Sequence, residues 1–202
     1  MSLFSVTFLV LASTIGLSLY TLYKNQNLLD QLILHPFKMN RDNSYFRLIT
    51  SGFLHADLSH LIFNMLSFYF FAIHLERIVG SLVFLIFYLA AIVIANLDSV
   101  SKNKNNPMYR SLGASGGVAA VIFSYIIFNP ATTLYLFFAI PIPGPVFAVG
   151  YLLYSTYASK AMNDNINHDA HIWGSLTGIA FALIYDPSTI SRMIEFVRGY
   201  FS

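Results

Sequence analysis

The chain has 202 residues, of which 56% are hydrophobic and 10% charged, with a mean hydropathy of +0.64 and a formal net charge of +2. Soluble domains carry about 25% charged residues, so so apolar a chain is expected to have lipid as its solvent. The small net charge excludes an electrostatic nucleic-acid binder, and the absence of cysteine excludes disulfides and thiolate metal sites.

In chain order, the first apolar segment covers about Leu3 to Tyr23 without an internal charge and ends at Lys24-Asn25-Gln26-Asn27. No basic region precedes it and it is long enough to span, so it reads as a retained helix and not as a cleaved signal. Residues 24–56 mix apolar stretches too short to span with Lys38, Arg41, Asp42 and Arg47, the composition of a structured, partly interfacial loop. The second segment runs from about Leu58 to Leu75, with Asp57 and Ser59 where caps belong and with Glu76, Arg77 and Gly80 at its end. Glu76 and Arg77 read as a turn with local hydrogen bonds. The third covers about Ser81 to Leu97, followed by a polar loop from Asp98 to Arg110.

The fourth segment starts near Ser115 and stops at the breaker Asn129-Pro130. At ~1.5 Å per residue it is roughly 21 Å long against a hydrocarbon core of ~30 Å, which puts Ser115 roughly 10 Å below one surface if the other end reaches the opposite one. Thr132 to Ile140 reads as an apolar connector, and about Val146 to Ser159 as a short, weakly held fifth helix after Pro141, Pro143 and Pro145. Lys160 to Asp169 is a polar loop, the sixth segment covers about Ala170 to Tyr185, and the tail to Ser202 reads as a short amphipathic surface helix. The fold class expected is an all-α integral membrane protein, a six-helix bundle forming one domain over residues 1–202.

Six spans make the second, fourth and sixth run in one direction. Each then carries polar residues at its N-terminal end: His60 and Asn64, Ser115, and His171. These residues share one depth, and polar groups in hydrocarbon are costly and usually functional. A serine needs a base to become a nucleophile, and an imidazole titrates near neutrality and can take and return a proton. Gly113 with Gly117 and Gly116 with Ala120 on the fourth segment, and Gly174 with Gly178 on the sixth, supply small residues at helical spacing that let two helices approach closely. Attack on a carbonyl creates an oxyanion; His60, Asn64 and the backbone N–H of Ser115 are candidate donors. Asp169 lies two residues from His171, on another helix face, so a Ser-His dyad is expected in preference to a triad. His168 with His171 forms H-x-x-H, but no third ligand is evident and no metal or cofactor is expected. His55 is expected to line a water entrance, and His35 and His74 to be interfacial. Taken one at a time, the glycine-flanked serine and the histidines have bland readings as helix-packing and hydrogen-bonding residues.

Together they resemble the rhomboid family of intramembrane serine proteases. The matching pieces are His60-Leu61-Ile62-Phe63-Asn64, Gly113-Ala114-Ser115-Gly116, and Ala170-His171-Ile172-Trp173-Gly174-Ser175-Leu176-Thr177-Gly178, with Phe46-Arg47 and Glu76-Arg77-x-x-Gly80 in support. The resemblance covers about Tyr45 to Leu183. It implies Ser115 as nucleophile, His171 as base, His60 and Asn64 as the oxyanion hole, a transmembrane helix as substrate, and the fifth helix with the loop after it as the gate. Two departures stand out. Ala119 occupies the place where some members have a tyrosine stacking on the catalytic histidine, so His171 is expected to be oriented by Trp173 or by packing alone. The Pro141 to Pro145 segment is unlike the simplest bacterial members.

The expected partners are transmembrane protein substrates and the lipid bilayer, and the expected location is a bacterial inner membrane. Basic residues are concentrated on the loops beside the site, so the positive-inside rule points the site toward the cytoplasm; the resemblance points it outward, the orientation adopted here. The alternatives are a catalytically inactive relative that binds transmembrane clients, and a small transporter or metal-dependent membrane enzyme.

Overall fold

A computed structural model describes residues 5–136, 139–162, 164 and 166–201, the side chains of residues 200 and 201 excepted. It is predominantly helical. Helix α1, Val6–Tyr23, is capped by Ser5, whose side chain accepts from the Phe8 N–H; the expected start at Leu3 lies outside the described residues. The following loop is structured. It holds α2 (Gln26–Leu32), α3 (Pro36–Asp42), α4 (Arg47–Thr50) and a 3-10 turn, Ser51–Phe53. Arg47 anchors it: buried, it donates from Nη1 to the carbonyls of Asp30 and Ile33, at 2.9 Å each, and from Nε to Ser44 Oγ.

Helix α5 covers Leu58–Val79 with Asp57 as its N-cap, accepting the His60 N–H at 2.8 Å. It runs past Glu76, where the sequence suggested an end, because Glu76 serves a distant partner as well as a local one. The buried carboxylate accepts from Val6 N–H, Thr7 N–H and Thr7 Oγ1 at the start of α1, and from Ser81 Oγ. One side chain thus satisfies free donors of α1's first turn and bolts that helix to the α5–α6 corner. Glu76→Ala leaves several buried donors unpaired and is expected to lower stability by at least about 3 kcal/mol, read as a fall in melting temperature in detergent. Glu195→Ala, on an exposed surface, is the comparison; equal melting of the two would refute the bolt.

Helix α6, Ser81–Asn103, is also longer than expected. Asp98 and Lys102, four apart and 2.7 Å from each other, continue the helix as an ion pair where their polarity suggested a loop. Helix α7, Ser115–Phe128, is short, apolar and central; Gly116 through Val121 are all buried. It is enclosed by α5, α6 and α9, and among the described residues its contact with α9 is the most extensive between two helices.

The expected connector after α7 is instead a β-hairpin. Thr133–Leu136 (β1) pairs antiparallel with Ile140–Pro143 (β2), Thr133 opposite Pro143 and Leu136 opposite Ile140. A two-stranded ribbon has only edge strands, so Pro141 and Pro143 are tolerated despite lacking an N–H. Helix α8, Gly144–Ala161, follows directly and buries only Gly144, Ser155 and Ala158 among its described residues. Helix α9, His168–Tyr185, begins two residues earlier than expected, with Asn167 as N-cap. Helix α10, Thr189–Phe201, is amphipathic, with Ile190, Ile194 and Val197 exposed along one side. Among the described residues, α1, α5 and α6 are long and apolar enough to cross a membrane, and α7 is a shorter apolar helix.

Candidate active site

Ser115 is the first residue of α7, and Val118 makes that helix's first backbone bond, to Ala114 O. The N–H groups of Ser115, Gly116 and Gly117 therefore have no acceptor within the helix. Ala114 offers no side-chain cap. The loop leading in is pinned from two sides: Ser111 and Leu34 exchange backbone bonds of 3.0 and 3.1 Å, and Gly113 N–H donates to Ser51 O at 3.0 Å. Gly113 has φ +127°, a conformation side chains rarely adopt, and a Cβ there would meet His60 Cε1 at 2.8 Å and His60 Nε2 at 3.0 Å. The same point lies 3.8 Å from Ser115 Oγ. The His60 imidazole and the Ser115 hydroxyl thus face one spot beside a glycine whose missing side chain keeps it open.

His171 sits in the first turn of α9, and backbone packing brings that turn against the start of α7. A Cβ on Gly116 would lie 3.2 Å from Ala170 O, and one on Gly174 would fall on the Gly116 carbonyl. A turn further on, Gly178 meets the carbonyl of Ala120, and Ser124 Oγ donates to Gly178 O at 2.9 Å. The small stripes that face each other are therefore Gly116–Ala120 and Gly174–Gly178. Gly113 and Gly117 face elsewhere, the first against His60 and the second against Tyr88 and Ile92 of α6. Among the described residues no hydrogen bond joins Ser115 Oγ to His171; bonds of this kind often tighten only on the substrate.

Asn64 is buried and its Nδ2 donates to His60 O at 3.0 Å, so part of its donor capacity is spent on its own helix. His55 is not at a water entrance. It is fully buried, shares a 3.0 Å hydrogen bond with Ser18 Oγ, and meets the His60 ring edge-on at 4.9 Å. Burial first, and the neighbouring His60 second, hold its pKa down at about 3, so it is a neutral support behind His60. His35, expected at the interface, is buried as well.

Among the described residues neither nearby acid is hydrogen-bonded to His171. Asp169 accepts from Lys102 at 2.7 Å and from Ser159 Oγ at 2.5 Å. Asp164 lies 3.2 Å from Nε2 of the buried His168, whose ring stands edge-on to His171 at 5.8 Å. Trp173 is 44% exposed and is not the ring that contacts His171. Tyr151 of α8 is: its centroid lies 6.0 Å away with the planes 32° apart.

Two contributors were not legible in the sequence. Tyr151 gave no signal, because nothing local ties it to a residue on another helix. Asn167 had a faint one, an amide three residues before Ala170 at a helix start. Its Oδ1 accepts the Ala170 N–H at 3.1 Å, and its Nδ2 reaches Ser99 Oγ and Ser111 Oγ at 2.9 and 3.2 Å. The cap that starts α9 thereby ties His171's turn to the loop that delivers Ser115. A cavity of about 10 Å³, the size for one water, adjoins Ser115 and is lined by Asn96, Ser111, Gly113 and Asn167 among others.

Comparison with known proteins places the chain in a family. The rhomboid domain family matches residues 42–188. An Arabidopsis thaliana protein named "RHOMBOID-like protein 12, mitochondrial" is 31% identical over 174 residues, which cover 76% of this chain and 52% of that protein. A Bacillus subtilis (strain 168) protein named "Putative rhomboid protease YdcA" is 28% identical over 145 residues, 71% of this chain and 68% of that one. The chain spans about half the length of the plant relative.

Proposed function

The chain belongs to the rhomboid family, and on that footing we propose that it is an intramembrane serine endopeptidase that cleaves transmembrane segments of other proteins. The observation that carries the reading is the meeting of two helix starts. Glycines at 116 and 174 bring the backbones of α7 and α9 together at the turns that hold Ser115 and His171, while His60 faces the serine hydroxyl across Gly113.

In this reading His171 takes the proton as Ser115 Oγ attacks a substrate carbonyl. The resulting oxyanion is held by free N–H groups at the start of α7 and by His60, with Asn64 on the same helix. His171 then returns the proton to the leaving amine and activates the water that frees the acyl group. With both acids engaged elsewhere, the catalytic unit is a Ser-His dyad. α1, α5, α6, α7, α8 and α9 are the six spans; the outward orientation is supported by how many cations beside the site are already engaged. Arg47 is buried, Arg110 pairs with Asp30 at 2.8 Å, and Lys102 pairs with Asp98 and Asp169. The proposed location is a bacterial plasma membrane; of the two relatives one is a Bacillus protein and the plant one is named as mitochondrial.

The rival reading, an inactive binder of transmembrane clients, has no use for an activated serine. A fluorophosphonate probe on the membrane-embedded protein is expected to label Ser115, located by peptide mass spectrometry, and prior alkylation of His171 to suppress it. Absence of labelling under conditions where an added serine protease reacts would favour the binder.

A further inference from the structure

We infer that Tyr151 is the positioning residue for His171, and that it makes the orientation of the base depend on α8. This rests on the protease reading above.

Among the described residues the imidazole has two ring neighbours. His168 stands against its edge at 5.8 Å and 87°. Tyr151 meets it as a tilted ring at 6.0 Å and 32°, and is itself backed by Phe147 at 5.6 Å and 26° and by Phe123 of α7 at 5.7 Å. Ring pairs at such separations have preferred relative orientations, so packing of the Phe147–Tyr151 pair on one side and His168 on the other restricts rotation of the imidazole. Ala119, one turn after Ser115 on the same face of α7, contributes only a methyl group there. The ring that orients the base is therefore supplied by α8 and not by the helix that carries the nucleophile.

That origin matters because α8 is lightly held. It buries three small residues, and its C-terminal end is tied by the Ser159–Asp169 bond, itself braced by Lys102. Any displacement of α8 withdraws Tyr151 from His171, so the base is aligned only while α8 is packed against α7 and α9.

The test follows the rate of fluorophosphonate labelling at Ser115 against pH, together with kcat and KM for a transmembrane reporter in vesicles. Tyr151→Leu is expected to slow labelling and kcat about tenfold, leave KM within about twofold and displace the pH profile of labelling; Tyr151→Phe, which keeps the ring, stays within about twofold of wild type throughout. Adding Ala119→Tyr to Tyr151→Leu is expected to restore most of the rate by presenting a ring from α7. Tyr151→Met stands in if Tyr151→Leu does not fold. Wild-type labelling by the leucine or methionine variant overturns the inference, as does a phenylalanine variant as slow as leucine with no rescue from position 119. If the wild-type chain itself does not label, the protease reading falls and this inference with it.

Discussion

Ser115→Ala is expected to reduce cleavage of a transmembrane reporter in vesicles by on the order of 10⁴- to 10⁶-fold, the range seen when one member of a serine-based catalytic unit is removed. The same change is expected to leave the melting temperature where it was. The hydroxyl supports no part of the fold: Ser115 starts α7 without capping it, and among the described residues Oγ takes part in no hydrogen bond. Alanine is the best helix former, so the local cost is nil or slightly favourable. That dissociation of activity from stability separates a catalytic serine from a packing serine. Ser124 is the internal contrast. Its Oγ donates to Gly178 O in the buried α7–α9 seam, and Ser124→Ala is expected to act on stability first. Cleavage by Ser115→Ala at the wild-type rate would remove the nucleophile, and with it the proposed mechanism.

Gly174→Ala is the second large effect, and it acts on both quantities. The added Cβ falls on the Gly116 carbonyl, a backbone atom with no rotamer to escape into. The helices must part, at a cost of roughly 1–3 kcal/mol or more for overpacking. An alanine in place of a helical glycine returns only about 1 kcal/mol through propensity, so the clash wins. Parting α7 from α9 also separates the serine from the imidazole, and a misplacement of ~1 Å costs about 10²-fold in rate. Gly150→Ala on α8 is the control. A Cβ there meets nothing within 4 Å, so propensity is the main remaining effect and stability is expected to hold or rise slightly. Equal behaviour of the two variants, in melting and in cleavage, would show that the close seam between α7 and α9 is not what holds the site.

Much of this arrangement was legible before any coordinates. Apolar runs with breakers such as Asn129-Pro130 located the starts of α5, α6 and α7 and the ends of α1, α7 and α9, since a span is a matter of local composition. The co-directional placement of His60, Asn64, Ser115 and His171 followed from counting segments. Where the reading failed, the missing information was a partner distant in sequence. Asp98 and Lys102 resembled a loop because their polarity was visible and their pairing, with each other and with Asp169, was not. Glu76 resembled a local turn because Val6 and Thr7 lie about seventy residues away. Thr132 to Ile140 resembled a connector because strand pairing is set by register between two short runs that have little individual preference.

The chain's own residue order determined a membrane-embedded helical protein of the rhomboid family, with a serine and a histidine near the starts of two small-residue helices. Lipid solvation, helix breaking and glycine spacing are properties of neighbouring residues. Tertiary structure alone decided which glycine pair closes the α7–α9 seam, that His55 is buried support behind His60, and that the Tyr151 ring packs against His171. Those are relations between side chains on separate helices, and they come into being only when burial of the seam sets the rotation of each helix about its axis.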